Sequence, residues 1–350
     1  MRRLLPRPGR RLRLALGLLV AIGLSPGTWI RVVPPPPDSS AGLTVRPVRV
    51  APLCCHTGPF HLVGAWQLTS MHPDFGGYSA LVESAPGRFM ALSDRGYFVE
   101  FARPDGPPGP VRFGPLLDDA VRLKDNRDVE AASRDPVSGR MWLAQEGRNA
   151  IERKAPDMTR EVFREIPEMQ GWPHNTGPES IVRLTDGRFV VLCECSTTRW
   201  TSSGIHQALL FEGDPTDRGA KARPFTFIGV KDYRPTALAE LPDGRVLILA
   251  RRLTWPMPPR FAMKILIADP AEITPGGTWH ARELADLQPP WPIDNYEGLT
   301  IERQADGRLV AWMISDENGA ATQRVLLLEM EIDEKRLPPK QKAPGSPDAL

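Results

Sequence analysis

Five times along the chain a short apolar run stops at a glycine-arginine step and a second apolar run follows at once. The second runs read PGRFMALSD, SGRMWLAQE, DGRFVVLCE, DGRVLILAR and DGRLVAWMISD, with turn glycines at Gly87, Gly139, Gly187, Gly244 and Gly307. The runs before them read YSALVES, EAASRD, ESIVRL, TALAEL and EGLTIE. Two β-prone runs around such a turn predict a hairpin, because glycine takes the positive φ that a tight turn needs. The copy from Asp294 to Asn318 is the clearest. Glu297 lies ten residues before Gly307 and Asp316 nine after it, so the two acids fall nearly opposite each other at the open end.

The turn glycines are 52, 48, 57 and 63 residues apart, a period that suggests propeller blades. From Gly307 to Ile332 is 25 residues and from Phe60 to Gly87 another 27, together one more repeat. The expected fold is therefore an all-β propeller of five blades, with six as the alternative if an insertion hides a degenerate one. The strand at Phe60–Ser70, with His61, Val63, Ala65 and Gln67 on one face, would pair with VLLLEMEI at 325–332 and leave no open sheet edge.

The flanks read differently. Residues 1–30 place six arginines before an apolar stretch from Leu14 to Leu24, the layout of a signal peptide or N-terminal anchor. Eleven apolar residues are short for a span, and no Ala-x-Ala-like cleavage site follows. Export to the periplasm or cell envelope is expected, with membrane contact only through this segment if it stays uncleaved. Residues 31–59 are proline-rich and read as an extended linker, 60–332 as the propeller, and 333–350 as a disordered tail.

Composition changes this picture little. Of 350 residues, 41% are hydrophobic and 25% charged, and the net charge of +2 gives no reason to expect nucleic acid as a partner. Four cysteines remain, Cys54, Cys55, Cys193 and Cys195. Their spacing matches no standard zinc site, so structural thiols or a disulfide are expected. Cys193 and Cys195, as an i, i+2 pair in a strand, look poorly placed to bridge each other.

Matched positions at the hairpins' open ends are Ser79, Glu130, Glu179, Thr236 and Glu297 before the turn, then Asp94, Glu146, Glu194, Arg251 and Asp316 after it. In a propeller these points converge on the axis and gather up to seven carboxylates, with Arg251 and Arg95 among them. Asp128 and Asn295, each two residues before a ring glutamate, and His174 and Asn175 near Glu179, are candidate partners or substrate contacts. Like charges facing across a strand pair repel. A bound cation, an arginine or a retained proton must offset them. Oxygen ligands suit Ca²⁺ or Mg²⁺ better than a softer metal, with Glu130, Glu179, Glu297 and Asp316 as the candidate ligands. Arg95 and Arg251 alone could instead neutralise a structural ring.

The runs FGGYSALVESAPGRFMALSDRG, GPESIVRLTDGRFVVL, RPTALAELPDGRVLILAR and DNYEGLTIERQADGRLVAWMISDEN resemble the phytase-like domain family, described as having an esterase-like activity of phytase, over about residues 60–332. The resemblance implies a propeller fold and an esterase or phosphoesterase activity. The β-propeller phytases use Ca²⁺ at an acidic face, but no motif here transfers their ligands residue by residue.

No nucleophile elbow, H-E-x-x-H, P-loop or dinucleotide fingerprint occurs. Ser79, near His72 and Asp94 in sequence, reads as a ring hydroxyl rather than a nucleophile. Trp142 and Trp312 alternate within strands and read as core. The leading function is hydrolysis of a small-molecule ester or phosphoester. Glu130, Glu179, Glu297, Asp316 and Asp94 supply the acids, and Arg95, Arg251, His174, Asn175 and Asn295 bind substrate. A non-enzymatic envelope binding propeller, using Trp172, Trp200, Trp255 and Trp291 in inter-strand segments, is the alternative. A lactonase-type enzyme is a third.

Overall fold

The computed structural model describes residues 9–23, 38–50, 56–116, 128–195, 201–254, 260–320 and 323–340. Helix α1 (Arg10–Gly23) lies in the segment expected to be a signal peptide or anchor; among the described residues no helix is long and apolar enough to cross a membrane. Within the proline-rich segment, β1 (Thr44–Pro47) and β2 (His56–Thr57) both pair with β3 (Phe60–Thr69).

Five antiparallel blades follow in chain order. The first is β4 (Tyr78–Ala85), β5 (Arg88–Ser93), β6 (Tyr97–Ala102) and β7 (Arg112–Pro115); the second is β8 (Val129–Arg134), β9 (Met141–Gln145), β10 (Ala150–Lys154) and β11 (Arg160–Glu165). The third is β12 (Pro178–Arg183), β13 (Phe189–Cys193), β14 (Ile205–Phe211) and β15 (Ala222–Ile228). The fourth opens with β16 (Arg234–Glu240), β17 (Val246–Thr254) and β18 (Arg260–Ala268). Its chain then crosses as β19 (Thr278–His280), parallel to β15, before returning as β20 (Arg282–Leu287). The fifth is β21 (Asn295–Arg303), β22 (Leu309–Asp316) and β23 (Val325–Ile332), and β3 completes it beside β23, Val325 against Leu68 through Ile332 against Phe60.

The repeated Asp-Gly-Arg step has a local cause. Asp186, Asp243 and Asp306 each accept the backbone N–H of the arginine two residues on at 3.0 Å. Their second oxygens accept that arginine's Nε at 2.7–2.8 Å. The aspartate thus holds the turn from inside while the glycine takes the positive φ, +92°, +84° and +89° in these three.

Apolar faces meet between blades in five separate clusters, one for each pair of neighbours. Phe89 and Trp312 meet at 5.0 Å between the first and fifth, and Trp142 and Phe189 at 4.9 Å between the second and third. Leu92 and Leu143, Ile248 and Trp279, and Leu249 and Met313 mark the others. Each such side chain contributes about 1.5–3 kcal/mol by leaving water. Closer to the axis the strands crowd: a Cβ on Gly298 would stand 2.8 Å from the Leu81 nitrogen, so β21 meets β4 only with glycine there. Trp172 and Trp291 are 3% and 6% exposed and pack into these clusters, which removes them as surface aromatics; Trp200 and Trp255 lie outside the described residues.

The cysteine expectation is corrected. Cys193 and Cys195 form a disulfide, because the strand ends at Cys193 and Cys195 turns to φ +40°, bringing the Cα atoms to 5.1 Å. Cys54 and Cys55 lie outside the described residues. A ring this small removes only about 1.5 kcal/mol of chain entropy from the unfolded state. Replacing both cysteines with serine is therefore expected to lower the melting temperature by no more than about 5 °C, checked by thermal denaturation; a larger loss would assign the bridge a wider structural role.

The segment read as a tail begins with a short 3-10 turn at Glu334–Arg336, tied by Arg303 to Glu334 at 2.8 Å. Residues 341–350 lie outside the described residues.

Candidate active site

The strands nearest the axis are β4, β8, β12, β16 and β21, each next to the following one and β21 next to β4. Every one is bulged at the same place. The register slips at Ser79, Glu130, Glu179, Thr236 and Glu297, the five positions matched from sequence. A bulge leaves its residue unpaired in the ladder and re-aims its side chain. The acids therefore sit at the bulge and not in the regular alternation. The second set of matched positions also shares one place. The backbone N–H groups of Asp94, Glu146 and Glu194 donate to the carbonyls of Gly77, Asp128 and Gly177 at 2.8–3.0 Å, and Arg251 and Asp316 oppose Arg234 and Asn295.

Together these positions put eight carboxylates at one end of the axis: Asp94, Asp128, Glu130, Glu146, Glu179, Glu194, Glu297 and Asp316. Three arginines oppose them. Arg251 reaches Glu297, donates to the Asn295 side-chain Oδ1 at 2.9 Å and lies 3.8 Å from Glu194, whose carboxylate also accepts from Arg234 at 2.8 Å. Asn295 in turn donates to Glu297 at 2.8 Å. Arg95 stands at the rim, 45% exposed, donating to the Phe75 carbonyl at 2.6 Å and lying 3.6 Å from Glu317.

Burial and charge crowding set the protonation states. Burial opposes the Arg251 charge, but the carboxylates of Glu297, Glu194, Glu179 and Glu130 more than offset it and hold the guanidinium charged. Burial, reinforced by neighbouring carboxylates, pushes Glu130, Glu179 and Asp316 well above the carboxylate range. Glu297 is also raised by burial, with Arg251 pulling against the shift. Asp94 is pushed up to about 6 by burial, against the pull of Arg95 and with help from Glu297 and Asp128. Glu146 is pushed up to about 8 by burial, although the Gly177 N–H donates to it at 2.8 Å.

Among the described residues, the acids that approach one another as metal ligands do are Asp128, Glu130 and Glu146, with one oxygen of each within 4.8 Å of the others. Only Glu130 of the four expected metal residues belongs to this triad. Glu297 is taken up by Arg251 and Asn295, and Asp316 accepts the Asn318 N–H at 2.8 Å. An all-oxygen donor set of this charge fits a hard divalent cation.

Other expected residues fall short of the cluster. His174 is exposed and touches the Gly147 carbonyl at 3.2 Å, and Asn175 is exposed beside it. Ser79 donates to the Val129 carbonyl at 2.5 Å and is 1% exposed, a structural hydroxyl. Arg234 was not foreseen. It stands two residues before Thr236, as Asn295 stands before Glu297 and Asp128 before Glu130, so the same offset pointed to it.

A five-bladed propeller with an acid-rich axial mouth is the class of protein that fold and site define. The chain belongs to the family described as phytase-like, with the esterase-like activity of phytase, whose pattern matches residues 73–319. Membership supports a hydrolase-type propeller. No curated protein matches the sequence. Among solved structures, the Myxococcus xanthus glutaminyl cyclase overlaps with a TM-score of 0.43 at 13% identity, covering 78% of this chain and 97% of its own. An α-L-arabinofuranosidase from Podospora anserina overlaps at 0.45 and 11% identity, covering 74% and 92%. Likeness at this level carries no chemistry.

Proposed function

We propose that the protein is an exported hydrolase of small-molecule esters or phosphoesters working at the axial acid cluster. The observation that carries this reading is the oxygen triad of Asp128, Glu130 and Glu146, set within electrostatic reach of a carboxylate, Asp94, tuned to about 6. Asp128, Glu130 and Glu146 would hold a divalent cation such as Ca²⁺ or Mg²⁺, which supplies positive charge for the oxygen that gains charge in the reaction. Asp94 is ionised at neutral pH and basic enough to take a proton from an attacking water. Its neighbour Arg95 is the most exposed of the three cluster arginines and pairs an anionic oxygen of the substrate. Arg251 and Arg234 are spent on Glu297 and Glu194 and hold the mouth together. The arginine-rich leader supports export.

Release of 4-nitrophenol from its phosphate and acetate esters, with Ca²⁺, Mg²⁺ or a chelator, tests the proposal. Asp94→Asn is expected to lower turnover roughly 100-fold or more, and Glu130→Gln to abolish the dependence on cation. Full activity in both variants would remove this site. Absence of turnover on any ester would favour a binding propeller, a reading that has lost Trp172 and Trp291 to the core.

A further inference from the structure

A groove of about 720 Å³ opens where the fourth and fifth blades meet, reaching Asp294 beside the ring residue Asn295. Its chemistry is opposite to that of the axial mouth. The lining combines Arg49, Arg260 and Arg324, all exposed, with an apolar surface that includes Phe261, Pro289 and Pro290. Among the described residues, Arg49 and Arg260 have no carboxylate within ion-pair distance. Arg324 lies within electrostatic reach of Asp294, the only acid in the lining among the described residues. That carboxylate is already engaged by the backbone N–H groups of Asn295 at 2.9 Å and Arg324 at 3.1 Å. The groove therefore keeps a positive excess over an apolar floor.

We propose that this groove binds an organic anion with an aromatic or alkyl body, and that it is the recognition subsite for the proposed hydrolase's substrate. The substrate would then carry a negative charge remote from the ester being cleaved. The assignment to a substrate rests on the hydrolase reading; the binding of an amphiphilic anion does not. Charge complementarity carries the choice of ligand. Guanidinium groups pair with carboxylate, sulfonate or phosphate oxygens and also stack on planar groups. Proline and phenylalanine present rigid apolar surface against which a ring or chain loses contact with water. The cluster of acids at the axis would repel the same anion, so charge alone steers it to the arginine side.

Calorimetric titration with 2-naphthalenesulfonate, which carries the charge and the ring but no ester, tests the site apart from catalysis. Sulfate and neutral 2-naphthol serve as half-ligands. The sulfonate is expected to bind at least tenfold more tightly than either. Arg260→Glu with Arg324→Glu should weaken it at least tenfold, while Glu130→Gln leaves it unchanged. Both arginines are exposed, so the charge-reversed protein is expected to fold, as its circular dichroism and melting curve will show. Sulfate binding as tightly as the sulfonate would overturn the proposal, as would retention of affinity in the double variant or loss of it in Glu130→Gln. Binding without turnover on any ester would keep the groove and remove the hydrolase.

Discussion

Replacing Arg251 with methionine is expected to lower the melting temperature at pH 7.5 by about 5–15 °C, the largest effect of any single substitution at the axis. Arg251 is the charge on which the deepest acids converge: it bonds Glu297, lies near Glu194 and is felt by Glu179 and Glu130. Methionine keeps most of the volume, so the loss reports charge more than packing. Removing one partner of a buried pair leaves the other uncompensated, at about 3–5 kcal/mol. The stranded carboxylates would respond by taking up protons. The destabilisation should therefore shrink at pH 5, where those protons are plentiful. Glu297→Gln added to the methionine variant should recover more than half of the loss, because the glutamine amide needs no counter-charge. Melting within about 2 °C of the parent would show that the acids are neutralised by something other than Arg251.

Much of this site was legible because its parts repeat. Five glycine-arginine turns fixed the register from which the open-end positions were counted, and both sets of five proved equivalent in space. The bulges were not legible. A residue that slips out of a ladder leaves no mark in a run such as ESIVRL, so Glu297 and Asp316 read as near opposites. The partner of Asp316 is Asn295, and Glu297 is freed by the slip. That difference decides the chemistry. Glu297 turns to Arg251 and Asn295, and among the described residues the ligand-like triad forms instead in the second blade, where one oxygen each of Asp128, Glu130 and Glu146 lie within 4.8 Å of one another. The Cys193–Cys195 bridge was missed for a related reason: alternation holds only while the strand lasts, and this one ends at Cys193.

On the proposed reading the two charge fields would divide the work of recognition. An acid-rich axis favours cations over an anionic ester, and the groove's Asp294 carboxylate is held by the Asn295 and Arg324 backbone N–H groups. The groove ends at Asp294, which accepts the backbone N–H of the ring residue Asn295, so the two fields adjoin in the fold. The hydrolase reading gains a specificity element from this arrangement, and the groove gains a reason to lie where it does.

Raising the pH from 5 to 8 without divalent cations is expected to lower the melting temperature, and millimolar Ca²⁺ to restore it mainly at the upper end. The sign follows from the raised acids. In the unfolded chain Glu146 ionises near 4.5, whereas in the folded protein it keeps its proton to about 8, and Asp94 keeps its own to about 6 instead of 3.8. Between those values the native state binds more protons, so unfolding becomes easier as pH rises. Glu146 alone corresponds to on the order of 3–5 kcal/mol across the window, and Glu130, Glu179 and Asp316 shift in the same direction. His206 works the other way: burial holds it neutral, so it costs stability below its ordinary range. One histidine against several acids leaves the slope negative. Glu329, pushed up to about 7 by burial away from the cluster, adds to that slope but offers no cation niche, so the Ca²⁺ response isolates the axial acids. A cation displaces the retained protons and stabilises by about 2.7 kcal/mol at a hundredfold excess over its Kd. Scanning calorimetry at pH 5 and pH 8, with chelator and with Ca²⁺, checks both halves. A melting temperature that climbs with pH in chelator would reverse the proposed protonation of the mouth. An equal Ca²⁺ effect at the two pH values would detach the cation from these acids.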